Sequence, residues 1–257
     1  MFNALLMSSE GHTYNLASLR LFVSGGAPLP APTLNALETR FGIPVLEGDG
    51  PTECSPVTSV NPLDGPRKVG SVGPAIPGVE IAIFDDDDRA MPIESVGEIV
   101  VRGDNVMLGY LNQPEATEEA MRSGWYHTGD LGRMDADGYV FIMDRKKDMI
   151  ITGGLNVYPR EVEDVLLTHI AVADVAVIGL PDALRGEEVV AVVVKRTTES
   201  DVSERDLSAY CRDKLANYKM PRRVLFRDTL PRGGTGKVVK RLLKKELEME
   251  QTVTEEN

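Results

Sequence analysis

A loop rich in glycine that ends in a lysine, Gly233-Gly234-Thr235-Gly236-Lys237, can carry a cation late into a site. There it would meet negative charge developing on a phosphate or a carboxylate. The segment is not a GxxxxGK[ST] phosphate loop, because the first glycine of that pattern would fall on Pro231 and Val238 replaces the magnesium-binding hydroxyl. A flexible surface turn is its plainer reading. Thr52-Glu53 follows a second such stretch, Gly48-Asp49-Gly50, where a hydroxyl and a carboxylate suit phosphate oxygens and Mg2+. The same pair also suits a simple helix cap. In Tyr126-His127-Thr128-Gly129-Asp130 the aspartate, expected in a glycine turn, either accepts both hydroxyls of a ribose or only forms the turn. His127 is a general base or, in a chain with three histidines, a packed or solvated side chain. The run Asp85 to Asp88 lacks the spaced ligands of a calcium loop and reads as a solvated hairpin turn.

These residues need elements to hold them. Apolar spacing predicts a strand at 19–23, a helix at 28–41 and a strand at 43–46, a βαβ unit that leaves Ser24-Gly25-Gly26 and Gly48-Asp49-Gly50 at strand carboxyl ends, where such folds bind ligands. Short β-type runs at 79–84, 97–102 and 139–142, separated by Gly, Pro and Asp, suggest a small barrel or sandwich. After the charged stretch 144–148 comes a further α/β region: a helix at 159–168, strands at 172–179 and 188–195, a helix from Ser203, a strand at 223–227 and a basic helix after Gly236. The fold class is α/β and α+β, with a compact mobile α/β domain following a partial larger one. Domain limits are expected at 1–146 and 147–250, with 251–257 a disordered tail.

Composition narrows the classes. With 40 acidic against 28 basic residues, a net charge of −12 argues against a chain that coats nucleic acid. Residues 212–245 are the exception, holding 12 Lys or Arg against two Asp, so any polyanion is met there. The segment lacks interleaved aromatics and base-reading motifs, so no nucleic acid is expected as a partner. For Lys240, Lys244 and Lys245 a solvated helix face is the preferred reading. Cys54 and Cys211 stand far apart, without CxxC or a Cys/His cluster, which excludes a disulfide framework and the usual zinc spacings. No apolar run approaches the roughly 20 residues that span a bilayer, and the first residues lack a signal-peptide pattern. A cytoplasmic protein is expected, with at most peripheral membrane contact.

Taken in order, SGGAPLP (24–30), GDGPTE (48–53), GEIVVRG (97–103), GYL (109–111), GWYHTGDLG (124–132), DRKKDMIITGGLNVYPREVE (144–163) and PRGGTGK (231–237) resemble the C-terminal half of the adenylate-forming (AMP-binding) acyl-CoA synthetases. The GGLNVYPREVE segment looks most like the medium- and long-chain fatty acid–CoA ligases. The resemblance implies a ligase working in two steps: a carboxylate attacks the α-phosphate of Mg·ATP, releasing pyrophosphate, and the thiol of coenzyme A then displaces AMP. It also implies a small C-terminal domain that rotates between steps.

Carried over by position, the resemblance gives Gly25, Gly26 and Ala27 to the adenine and acyl region and Glu47, Gly48, Asp49 and Gly50 to the nucleobase. Thr52 touches the phosphate or acyl carboxylate, and Glu53 holds Mg2+. Asp130 and Arg145 bind the ribose. Lys147 takes the hinge position, Gly153 and Gly154 the turn that approaches coenzyme A, and Lys237 bridges the acyl carboxylate and the α-phosphate. Two departures stand out. Asp49 occupies a place where the family usually has an aromatic ring that packs on adenine, and the family's Ser/Thr/Gly-rich phosphate loop with its lysine is not among these residues. An N-terminal half of the ligase is therefore an expected partner, little ATP-dependent activity is expected of the chain alone, and a homodimer is a further way to cover exposed sheet edges. A module that binds nucleotide or protein without catalysis is the alternative.

Overall fold

Two short apolar runs pair in parallel and set the first layer. In this computed structural model, which describes residues 1–8, 15–27, 29–196, 201–234 and 236–255, the chain divides into two units, Met1–Ile142 and Met143–Asn257. The first opens with helix α1 (Phe2–Met7), strand β1 (Phe22–Ser24), helix α2 (Ala31–Phe41), strand β2 (Val45–Asp49) and strand β3 (Ser59–Val60). β1 and β2 are parallel, with Ser24 opposite Glu47, and β3 runs antiparallel along the other side of β2. Leu34 and Leu37, three residues apart on α2, are buried with Leu29 and Val45, and Phe2, Phe22 and Phe41 pack on them.

The observed limits differ from the expected ones for local reasons. α2 begins at Ala31 because Pro30, with ψ of 135°, is its N-cap; Pro28 lies outside the described residues. β1 starts at Phe22, since a turn closed by the Leu19 N–H on the Leu16 carbonyl precedes it. β2 runs to Asp49 because β3, a partner that the sequence pattern does not announce, pairs with Gly48 and Asp49.

The rest of this unit is a half-barrel-like antiparallel sheet with five strands. Its elements are β4 (Val79–Phe84), β5 (Gly97–Gly103), helix α3 (Pro114–Ala120), β6 (Met121–Arg122), β7 (Trp125–Met134) and β8 (Val140–Arg145). The order is β4-β5-β7-β6, with β8 on β7. Alternation along β5 sends Ile99 to one cluster with Ile83 and Val140, and Val101 to another with Tyr126 and Cys54.

In the second unit β9 (Ile150–Thr152), β10 (Leu155–Val157), β11 (Val172–Asp182), β12 (Gly186–Lys195) and β13 (Arg223–Phe226) form one sheet, ordered β10-β9-β12-β11 with β13 on β12. Helices α4 (Pro159–Leu167) and α5 (Glu204–Arg212) cover one face and α6 (Lys240–Glu255) the other. The strands read as nearly continuous Val and Ala because both faces are buried. Val175, Val177, Val189, Ala191 and Val193 face Val162, Leu166, Leu207 and Cys211, while Ala176, Ile178, Val190 and Val192 face Leu243 and Leu247. Each helix contributes an i, i+4 pair. α5 starts with a reciprocal cap, Ser203 and Asp206 each accepting from the other's backbone N–H. α6 continues to Glu255, past the tail boundary expected at 250, and residues 256–257 lie outside the described set.

Candidate active site

The parallel pairing of β1 and β2 brings two of the glycine segments side by side, since Gly25-Gly26 leave β1 where Glu47-Gly48-Asp49 end β2. Close backbone packing fixes these glycines. A Cβ on Gly50 would lie 1.5 Å from the Pro56 carbonyl oxygen, and one on Gly48 would lie 2.9 Å from that of Ser59. Gly26 is different: its φ of +74° needs glycine although nothing crowds it. Ala27 is exposed. Glu47 is buried, and its carbonyl accepts from the Asn61 amide N–H at 2.9 Å and from Nδ2 at 3.2 Å. The Asp49 carbonyl accepts from Thr58 N–H and Oγ1 at 2.9 and 3.1 Å.

Thr52 and Glu53 sit in a single 3-10 turn, Thr52–Cys54. Pro51 is its cap and no side chain closes it, so the helix-cap reading of Thr52 does not hold. The Glu53 carbonyl accepts from Met107 N–H at 2.7 Å, and its Oε1 accepts from the Tyr110 hydroxyl at 2.9 Å. Oε2 carries no hydrogen bond among the described residues. The buried Tyr126 stands close enough to feel the Glu53 and Tyr110 charges. Burial first, then the bond to Glu53, push the Tyr110 hydroxyl above its ordinary pKa, and burial followed by the Glu53 charge does the same to Tyr126. The Cys54 thiol beneath them is pushed up to about 12 by burial, with the Glu53 and Asp49 charges adding to it.

Asp130 lies within β7, which corrects the expected glycine turn. Val100 pairs with His127 and Glu98 with Leu131, so Thr128, Gly129 and Asp130 bulge opposite Ile99 alone. Glu98 Oε1 accepts the Gly129 N–H at 3.1 Å, Thr128 Oγ1 donates to the Ile99 carbonyl at 2.7 Å, and Asp130 N–H donates to Thr128 Oγ1 at 3.0 Å. Gly129, at φ +71°, makes the bulge affordable in strain. Behind it His127 is buried, its Nδ1 3.2 Å from Glu98 Oε2 and its Nε2 3.7 Å from Asp88 Oδ1. Arg122 bonds both carboxylates, at 3.1 and 3.2 Å. His127 is thus a packed residue beside acids. The hairpin reading of 85–88 needs one amendment: Asp85 Oδ1 caps the turn through Asp87 and Arg89 N–H, whereas Asp88 turns inward to Arg122 and Ser123.

In the second unit, Arg145 N–H donates to Asp144 Oδ1 at 2.7 Å and Lys147 sits in the 3-10 turn Lys146–Asp148. Gly153 and Gly154, at φ +58° and +77°, form the two-residue turn joining β9 to β10, as a type I′ hairpin requires. Gly153 N–H donates to the Arg185 carbonyl at 2.8 Å. Lys237 is exposed on a loop closed by its own carbonyl accepting from Gly233 N–H and by an Arg232–Val238 bridge, and its ammonium makes no ion pair among the described residues. Arg232 bonds the Gly236 carbonyl and Asp174; Thr235 lies outside the described residues.

Two of the helix lysines are not a solvated face. Lys240 Nζ lies 2.7 Å from Glu163 Oε1, which also accepts Val177 N–H, and Lys244 Nζ lies 2.9 Å from Glu187 Oε1. Glu187 Oε2 accepts Ile151 N–H from β9. Acidic partners on distant elements, which no local pattern reveals, are the reason. The residues with expected roles therefore form two sets: Gly25 to Glu53 and Asp130 in the first unit, Arg145 to Gly154 and Lys237 in the second. Tyr110, Tyr126 and Glu98 had no role assigned from sequence; the GYL, GWYHTGDLG and GEIVVRG motifs contain the signal for them.

Among the described residues no helix is long and apolar enough to cross a membrane, and no three His, Cys, Asp or Glu side chains gather as a metal cluster.

Comparison with known proteins gives two family matches, AMP-binding enzyme over residues 1–111 and AMP-binding enzyme C-terminal domain over 161–237. A long-chain-fatty-acid–CoA ligase of Escherichia coli O6:H1 is 43% identical over 246 residues, 96% of this chain and 44% of that relative. One from Bacillus subtilis is 43% identical over 249 residues, again 96% of this chain and 44% of the relative. The crystal structure of ATP-bound MatB from Rhodopseudomonas palustris superposes with a TM-score of 0.90 at 40% identity, covering 96% of this chain and 49% of that one. The chain thus spans about half the length of the curated relatives it matches. With both family models matched in order along a chain of this fold, it belongs to the AMP-binding enzymes.

Proposed function

We propose that this chain is the C-terminal half of a cytoplasmic fatty acid–CoA ligase that forms an acyl-adenylate and then a thioester, with ATP and coenzyme A as co-substrates. The observation that carries the reading is the 43% identity to long-chain-fatty-acid–CoA ligases over 96% of the chain. It is supported by the glycine segments and Glu53 at the carboxyl ends of parallel strands, where open α/β sheets bind nucleotides.

In the first step an acyl carboxylate oxygen bonds to the α-phosphorus of ATP, and the bond to pyrophosphate breaks. Gly25, Gly26, Ala27 and residues 47–50 would line the nucleotide, with Thr52 toward phosphate or carboxylate oxygens and Asp130 and Arg145 toward the ribose. The bulge at Gly129 supports the role of Asp130, because it turns one side chain out of the strand's ordinary alternation. Lys237 would stabilise charge on the carboxylate–phosphate junction, a role that its exposed, glycine-flanked loop suits. Glu53 fits a magnesium ligand: a hard oxygen donor with Oε2 unengaged, alone rather than in a cluster, as Mg2+ held by one carboxylate and nucleotide phosphates requires. Mg2+ there would neutralise phosphate charge. In the second step the thiol of coenzyme A displaces AMP. The tight Gly153-Gly154 turn is proposed to approach its pantetheine arm, and Lys147, at the start of a domain taken from 147, to act as hinge.

The test combines the chain with a separately expressed N-terminal half of a long-chain ligase and follows pyrophosphate release with a fatty acid. Restored release that falls roughly a hundredfold in Lys237→Ala is expected. Vigorous acyl-CoA formation by the 257-residue chain alone, or release indifferent to Lys237, would overturn the reading.

A further inference from the structure

Glu53 does not hold its carboxylate in place unaided. The 3-10 turn that carries it is short, and its one side-chain hydrogen bond among the described residues comes from Tyr110, 57 positions away. A phenol has one proton to give, and Tyr110 gives it to Glu53 Oε1 at 2.9 Å. The result is a directed contact, Tyr110 to Glu53.

Both partners are anchored by the chain around them. The Tyr110 N–H donates to Thr117 Oγ1 at 2.9 Å, and that hydroxyl donates to the Gln113 carbonyl at 2.8 Å, so the first turn of α3 fixes the tyrosine's main chain. Gly109 allows this approach, since a Cβ there would meet the Thr117 side chain at 2.7 Å. The Glu53 carbonyl, held by Met107 N–H at 2.7 Å, ties the carboxylate's own backbone to the same loop. A side chain with three rotatable bonds is thereby reduced to one pose.

We propose that Tyr110 is a positioning residue for Glu53: it occupies one carboxylate oxygen and leaves the other directed at a divalent cation. The inference rests on the proposed metal role of Glu53. Partners that orient a ligand in this way typically change metal affinity by roughly 10- to 100-fold when removed. Replacing Tyr110 by Phe keeps the ring and deletes only the hydroxyl, so a purely space-filling role would leave cation binding unchanged.

The experiment titrates the full chain into Mn·ATP and reads the water-proton relaxation enhancement of protein-bound Mn2+, for wild type, Tyr110→Phe, Thr117→Val and Glu53→Gln. Circular dichroism checks that each variant is folded. Expected are loss of the bound fraction in Glu53→Gln, weakening by about tenfold in Tyr110→Phe and a smaller weakening in Thr117→Val. Wild-type binding by Tyr110→Phe, with binding lost in Glu53→Gln, overturns the positioning role and leaves the reading of Glu53 intact. Should Tyr110→Phe not fold, Thr117→Val, which deletes the acceptor of the Tyr110 N–H, decides in the same way. No Mn2+ taken up by the wild type, or undiminished uptake by Glu53→Gln, overturns the metal role itself and this inference with it.

Discussion

Replacing Lys240 by Met should destabilise the second unit by about 2 kcal/mol at pH 7, chiefly because it strands a carboxylate. Lys240 Nζ and Glu163 Oε1 are 2.7 Å apart, and the two side chains are 19% and 16% exposed. Removing one partner of a fully buried pair costs about 3–5 kcal/mol. Residual exposure here lowers that figure, and methionine preserves the packing of the lysine stem. A cation in the first turn of α6 also opposes the helix dipole, so its loss returns about 0.3–1 kcal/mol. Acidity supplies a second handle. Burial already pushes the Glu163 carboxyl above its ordinary value, the Lys240 charge working against it, and without Lys240 it must rise further. An acid whose folded pKa exceeds its unfolded one destabilises the fold above the unfolded value, and the penalty fades as pH falls through the folded value. The cost of Lys240→Met should therefore shrink between pH 7 and pH 5. In the double variant Glu163→Gln/Lys240→Met the amide oxygen still accepts Val177 N–H, and stability should return to within about 1 kcal/mol of wild type. Urea unfolding followed by circular dichroism at both pH values measures all three. A loss under about 0.5 kcal/mol at pH 7, or one that grows on acidification, would refute the reasoning.

Other consequences are equally accessible. Gly50→Ala would drive a methyl into the Pro56 carbonyl and should cost about 3 kcal/mol or more in thermal unfolding, whereas Gly129→Ala, with open space but φ +71°, should cost only about 1–2 kcal/mol. Leu166→Ala, at a fully buried position of α4, should cost about 2–5 kcal/mol in the same assay. With Cys54 and Cys211 buried and their thiols pushed up to about 12 and about 11, neither should react with a thiol reagent at pH 8 until denaturant is added, and rapid labelling of the native chain would contradict their burial.

Several elements that the sequence encodes locally were legible. The apolar runs that became β4, β5, β11 and β12, and helices α4 and α5, follow from periodicity, whereas α3 and the β9–β10 hairpin were not anticipated. What else escaped depends on a partner far along the chain. The extension of β2 through Asp49 needs β3, the bulge at Asp130 needs the register of β5, and the pairing of Lys240 needs a glutamate 77 positions earlier. Tyr110 shows the same limit at the site, for GYL stands out as a motif while its hydroxyl acquires meaning only beside Glu53.

Glu187 sits over Gly179, where a Cβ would come within 2.8 Å of its carboxylate, and that vacancy lets one side chain hold the main chain of Ile151 with one oxygen and Lys244 with the other. The β9–β10 fingertip and the C-terminal rod are thus riveted together across the edge of a single slab. Any displacement of one is therefore resisted by its anchorage to the other.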